Sequence, residues 1–196
     1  MSAVGVKSFA APPLDEREVY RYARCPKPTE REAALLAAVR AEVEHKLTYR
    51  VCRREVRVSV TEDMCTLGGV SVRSKSLASA LAGCETAVVF AATIGLELDR
   101  LLVKYNRLDA AKALFLQALG AERVEALCDA FCAEFPAAKP RFSPGYGDLP
   151  LDFQRELFAM LACEKHIGLT LNESLLMSPS KSVTAIMGLT AKGEEQ

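Results

Sequence analysis

The chain has 196 residues, half of them apolar, which suits one domain with a substantial core and is short for two. Lysine plus arginine and aspartate plus glutamate each number 25, so the charge balance gives no reason to expect nucleic acid or a membrane surface as a partner. The seven cysteines are scattered, no basic segment precedes an apolar run at the N-terminus, and no apolar stretch reaches the roughly 18 residues of a membrane span. A disulfide framework, a signal peptide and a membrane helix are therefore not expected, and a reducing cytoplasm is the expected setting.

Residues 1–13, small and punctuated by proline, are predicted to form a flexible lead-in; residues 14–190 are read as one domain and 191–196 as a tail. Residues 14–23 read as a short helix with Asp15 and Glu16 near its positive end. Cys25-Pro-Lys-Pro breaks it, and Thr29 then opens a second helix with Glu32 at capping-box spacing. Leu35, Leu36, Val39, Val43 and Leu47 recur along it at helical intervals. Residues 49–60 alternate arginine with valine, as a strand with one wet face does. Residues 67–72, around Gly68 and Gly69, read as a second strand or a bulge, and 74–81 as a short helix stopped by Gly83. The unbroken apolar run 86–93 is a buried strand ending at Gly95. Helical periodicity covers 96–105 and then 109–135, the longest apolar helix, where Gly120 marks either a kink or a close packing contact. Pro136 and Pro140 close that section; an amphipathic helix over 151–163 and strands over 168–171 and 181–189 complete an α+β pattern rather than the alternation of a doubly wound parallel sheet.

The inventory of reactive groups is thin. His45 and His166 lie among charged residues, and neither makes a convincing general base. Cys128 and Cys132 share one helix face, but no second pair with zinc-type spacing accompanies them, so they read as small buried hydrophobes. No dinucleotide, phosphate-loop or nucleophile-elbow motif occurs. The informative segment is Arg141-Phe-Ser-Pro-Gly-Tyr-Gly-Asp-Leu-Pro150. Two glycines and two prolines make it a rigid, irregular loop. Arg141 can grip a carboxylate through two parallel hydrogen bonds, Gly145 lets a ligand approach the backbone, and Tyr146 offers a ring face to a cation. Such a set suits a ligand carrying a carboxylate and a positive centre, S-adenosylmethionine among them; a structural turn beside a solvated arginine reads the same residues equally well.

Beyond the loop, the chain carries Pro144-Gly145-Tyr146, Pro150, Leu157-Phe158, Ile167-Gly168, Leu171, Glu173-Ser174, Met177, Pro179 and Ser182-Val183, in that order. This series resembles the activation (reactivation) domain of cobalamin-dependent methionine synthase, whose signature is R-x-x-x-G-Y. Gly83-Cys84, the run from Phe90 to Thr93, and Glu125-Ala-Leu-Cys-Asp129 are similar to a free-standing, single-domain branch of that family. The resemblance covers most of residues 15–190 and is strongest after 140. It implies a single domain with a bent antiparallel sheet and flanking helices, and S-adenosylmethionine bound by Arg141, Ser143, Pro144, Gly145 and Tyr146. It also implies an acid from the preceding long helix facing the ligand's positive charge, Asp129 or, one turn earlier, Glu125. Two departures stand out: Thr184-Ala185 replaces the family's Ser-Gly, and no Asp-x-His-x-x-Gly motif for a cobalamin ligand occurs.

The resemblance further implies a reactivation partner that supports reductive remethylation of cobalamin carried by a separate methionine synthase or other corrinoid protein. The electron would come from a flavodoxin-type reductant. The alternative, motivated by Thr184-Ala185, is a docking module that recognises a corrinoid protein and has lost S-adenosylmethionine. An independent enzyme in the same pocket ranks last, because no evident nucleophile or base is present.

Overall fold

The structure is a computed structural model that describes residues 2–190; the predicted tail at 191–196 lies outside the described residues. Its elements are β1 (Gly5–Phe9), α1 (Glu16–Tyr22), α2 (Glu30–Val43), β2 (Tyr49–Thr61), β3 (Met64–Leu67), β4 (Val70–Arg73), α3 (Lys75–Leu81), β5 (Thr86–Thr93), α4 (Glu97–Leu108) and α5 (Ala110–Cys132). There follow a single 3-10 turn at Leu151–Phe153, α6 (Gln154–Leu161), α7 (Cys163–Ile167), β6 (Thr170–Leu171), β7 (Met177–Ser178) and β8 (Ser182–Leu189). Every strand pair is antiparallel, and the main sheet runs β4-β3-β2-β5-β8, with β1 also on β2. The thirteen residues of β2 outreach one partner: β5 pairs with 50–57, β1 with 49–53, and β3 with 58–61. The resulting sheet is curled into half a barrel and carries helices on both faces, the α+β arrangement expected.

β5 explains the apolar run. Ala87, Val89 and Ala91 point into a core shared with α3, α6 and α7, while Val88, Phe90 and Ala92 point into a second core against α5. A strand buried on both faces loses the polar alternation seen in β2. Behind α5, a third core of Val19, Leu36, Val39, Leu98, Leu116 and Leu119 ties α1, α2 and α4 to its other side. The long helix is thus apolar on most of its circumference because it lies between two layers. At Gly120 a methyl group would overlap Leu98 and touch Lys181, so the glycine serves close packing.

Caps fall where the side-chain chemistry places them. Thr29 and Glu32 form the reciprocal capping box, and Asp15, Ser74 and Asp109 accept from the first-turn N–H groups of α1, α3 and α5.

Three expectations need correction. The stretch read as a lead-in is not loose over residues 5–13: β1 pairs with β2 from Gly5↔Arg53 to Phe9↔Tyr49, and Phe9 packs edge-on against Phe131 at 6.3 Å. Pro12 and Pro13 are tied down as well, their carbonyls accepting from Arg123 at 2.6 and 2.7 Å. Gly68 and Gly69 are neither strand nor bulge but the turn of the β3–β4 hairpin, with φ of +59° and +97° as a two-residue primed turn requires. The helix over 151–163 is broken at Ala162 (φ +46°, ψ +50°). Leu161 and Cys163 are both buried, and a straight helix would set residues two apart about 200° around its axis, so the chain must turn between them. No helix among the described residues is long and apolar enough to cross a membrane.

Candidate functional site

α5 presents Glu125, Asp129 and Cys132 along one face, at helical spacing. Beyond its end the chain turns back along β8. Ala138 bridges to Leu189 and Phe142 to Ile186, which carries Arg141 over that face. Its guanidinium donates to Asp129 Oδ1 at 2.5 Å and to Glu125 Oε2 at 2.6 Å, and lies 3.9 Å from Cys132 Sγ. Burial alone would lower the Arg141 pKa, but the hydrogen bond and charge of Asp129 carry it above the ordinary arginine value, so it is a fixed cation. Burial pushes the Cys128 and Cys132 thiols up, which keeps both protonated at neutral pH. Among the described residues, no group of three or more His, Cys, Asp or Glu is placed to hold a metal.

The loop that follows is a built structure. Tyr146 N–H donates to Ser143 C=O at 3.2 Å, and Pro144 and Gly145 (φ +88°) occupy the centre as a type II turn demands. Gly145 N–H donates to Leu149 C=O and Leu149 N–H to Tyr146 C=O. Asp148 anchors the far end on the start of α3, accepting from Ser74 Oγ at 2.6 Å, Lys75 N–H at 2.8 Å and Ser76 N–H at 3.0 Å. The Ser74 hydroxyl and then the two backbone donors hold the Asp148 carboxyl far below the usual carboxylate range. Gly147 (φ +55°) sits so close to Ser76 that no side chain fits.

Between this loop, α5 and the start of β8 lies a cleft of about 380 Å³. Arg141, Ser143, Pro144 and Tyr146, four of the residues singled out from the sequence, line it together with Glu125, Gln154 and Thr184. The other two do not line it. Gly145 shapes the turn from outside, with Leu151 against its open side. Asp129 touches Arg141 from the neighbouring groove, lined by Pro12, Asp15, Glu122 and Asp129; Glu125 borders both and is the acid the cleft itself presents. Gln154, Ser182 and Thr184 were not singled out from the sequence as site residues; the signals were that Ser182-Val183 falls in a matched motif and that Thr184-Ala185 departs from it. Tyr146 is 68% exposed and stands at the rim with Leu151. A larger and more open groove of about 640 Å³ between α6, α7 and β6 contains none of the loop residues.

A cleft of this size fits a nucleoside-sized ligand. At one end it offers a fixed cation held by two carboxylates, and at the rim an exposed aromatic ring.

No protein-family model matches the chain, and no curated protein matches it. Among solved structures, the chain resembles the crystal structure of the MetH reactivation domain bound to AdoHcy, with a TM-score of 0.72 over 99% of this chain and 80% of that one. Sequence identity is 15%, so the likeness is one of fold. The chain thus has the fold of a MetH reactivation domain.

Proposed function

We propose that the chain binds S-adenosylmethionine in the cleft and serves as the reactivation partner of a corrinoid methyltransferase, a cobalamin-dependent methionine synthase being the leading candidate. One observation carries this reading: within the fold of a domain that binds AdoHcy, Arg141, Ser143, Pro144 and Tyr146 converge on one nucleoside-sized cleft. Arg141, Glu125 and Asp129 together carry a net charge of −1. S-adenosylmethionine carries a carboxylate, an ammonium and a sulfonium, for a net +1. Binding is then an exchange of partners, the ligand carboxylate taking the guanidinium and its positive groups taking the released acids. The protein supplies orientation and a matched field, and needs no general acid or base. The reduced cobalt of the partner supplies the nucleophile that accepts the methyl group, and S-adenosylhomocysteine leaves.

The second reading, a docking module without the ligand, draws on the same ion pairs. With both carboxylates on Arg141, the arginine also works as a clip joining α5 to the loop. The two readings separate in a remethylation assay. A methionine synthase without its own activation region, held as cob(II)alamin, is mixed with a flavodoxin-type reductant and S-adenosylmethionine. Under the first reading, adding this chain produces the methylcobalamin spectrum; under the second, the chain binds the corrinoid protein and the spectrum stays that of cob(II)alamin.

A further inference from the structure

β8 is an outer strand whose free edge is covered along only half its length. Ile186 and Phe142 exchange two hydrogen bonds of 2.9 Å, and Lys139 N–H donates to Gly188 C=O at 2.8 Å. Peptide groups alternate in direction along a strand, so the outward-facing groups of Ile186 and Gly188 make those of Thr184 and Ser182 face the same way, off the sheet. The register that sets Phe142 opposite Ile186 would set residue 144 opposite Thr184. Residue 144 is proline, which has no N–H to continue the ladder, and there the chain leaves through its type II turn. Among the described residues, no hydrogen bond reaches the N–H of Thr184 or the C=O of Ser182. Both residues line the cleft and are nearly buried, at 2% and 8% exposure. Main-chain groups this deep are ordinarily paired.

We infer that this stretch of strand edge reads the base of the ligand, Thr184 N–H donating to ring N1 of an adenine and Ser182 C=O accepting from its 6-amino group. The match is one of spacing and polarity: along one side of an extended strand the C=O of residue i and the N–H of residue i+2 are adjacent, and adenine sets its 6-amino donor next to its N1 acceptor. The inference rests on the proposed binding function and adds to it the main-chain atoms that recognise the base. It also gives the Thr184-Ala185 step a consistent role, since the contact uses main-chain atoms and tolerates a change of side chain.

The test is calorimetric titration of the whole chain with S-adenosylhomocysteine and with its 1-deaza analogue, in which a C–H replaces N1. The wild-type chain is expected to bind the analogue roughly tenfold more weakly, the scale of one lost hydrogen bond in a closed site. Thr184→Pro deletes the outward N–H without removing a bond to β5; it is expected to weaken S-adenosylhomocysteine by a similar factor and to abolish the difference between the two ligands. If the proline variant does not fold, the comparison of ligands on the wild-type chain decides. Equal affinities for the two ligands would overturn this inference alone, whereas a wild-type chain that binds neither would overturn the binding function and this inference with it.

Discussion

Arg141 bridges two carboxylates one helical turn apart, and its side chain remains a quarter exposed. A charged fork held this way is preorganised for exchange, because neither the cation nor the acids need be carried out of water to meet a ligand. Arg141→Ala is expected to weaken S-adenosylmethionine by about 1.5–3 kcal/mol, or roughly 10–150-fold, the scale of hydrogen bonds to a charged group. An unchanged dissociation constant in that variant would remove the carboxylate role and leave only the clip. At this scale the sequence was informative for one segment. The chemistry of the Gly- and Pro-rich loop and its resemblance to the R-x-x-x-G-Y signature brought forward Arg141 and Tyr146, both of which line the cleft. Glu125 could not be ranked above Asp129, since which side of α5 faces the cleft depends on how the helix rotates against β8. Asp148 was hidden for a similar reason, since its partners lie across the fold at the start of α3, and Thr184 stood out only as a departure from the motif, its place beside the loop being set by the pairing of Phe142 with Ile186.

At the scale of elements, the loop owes its shape to Asp148 as much as to its glycines. The Asp148 pKa is lowered in the folded chain relative to the unfolded one. It therefore contributes stability above the ordinary carboxylate value of about 4, and that contribution is lost as pH falls through the native value. Asp148→Asn is expected to lower the unfolding midpoint at neutral pH and to flatten the acid limb of the stability profile; a profile superimposable on the wild type would contradict the anchor. Gly120 is the counterpart on α5. Gly120→Ile forces a branched side chain against Leu98 and Lys181 and is expected to cost about 1–3 kcal/mol in denaturant unfolding, the scale of overpacking. Capped helices and the doubly buried β5 were legible because cap chemistry and apolar period are local. β1 was not, since its five residues are mostly exposed and carry no alternation, and it is a strand only because β2 offers an edge. Ala162 gave no sign of a break, because the need for one arises from burying both Leu161 and Cys163.

For the whole molecule, α5 joins two layers, with the sheet on one side and α1, α2 and α4 on the other. Its buried Glu122 and Arg123 also hold the N-terminal segment: Arg123 donates to Pro12 and Pro13, and Glu122 accepts from the backbone N–H of Asp15 at 3.0 Å. Arg123→Ala leaves Glu122 buried and uncompensated, and is expected to cost about 3–5 kcal/mol in global unfolding while loosening residues 5–15 to hydrogen exchange. The same helix presents Glu125 to the cleft, so the strap and the site share one rigid element. The measurement that tests the central claim most directly is calorimetric titration of the purified chain with S-adenosylmethionine, alone and beside a cobalamin-dependent methionine synthase without its own activation region. The account predicts saturable one-to-one binding to the chain alone, abolished or strongly weakened by Arg141→Ala. No binding in either setting, checked at a second temperature to exclude a cancelled heat, would contradict it and leave the docking module as the function of this fold.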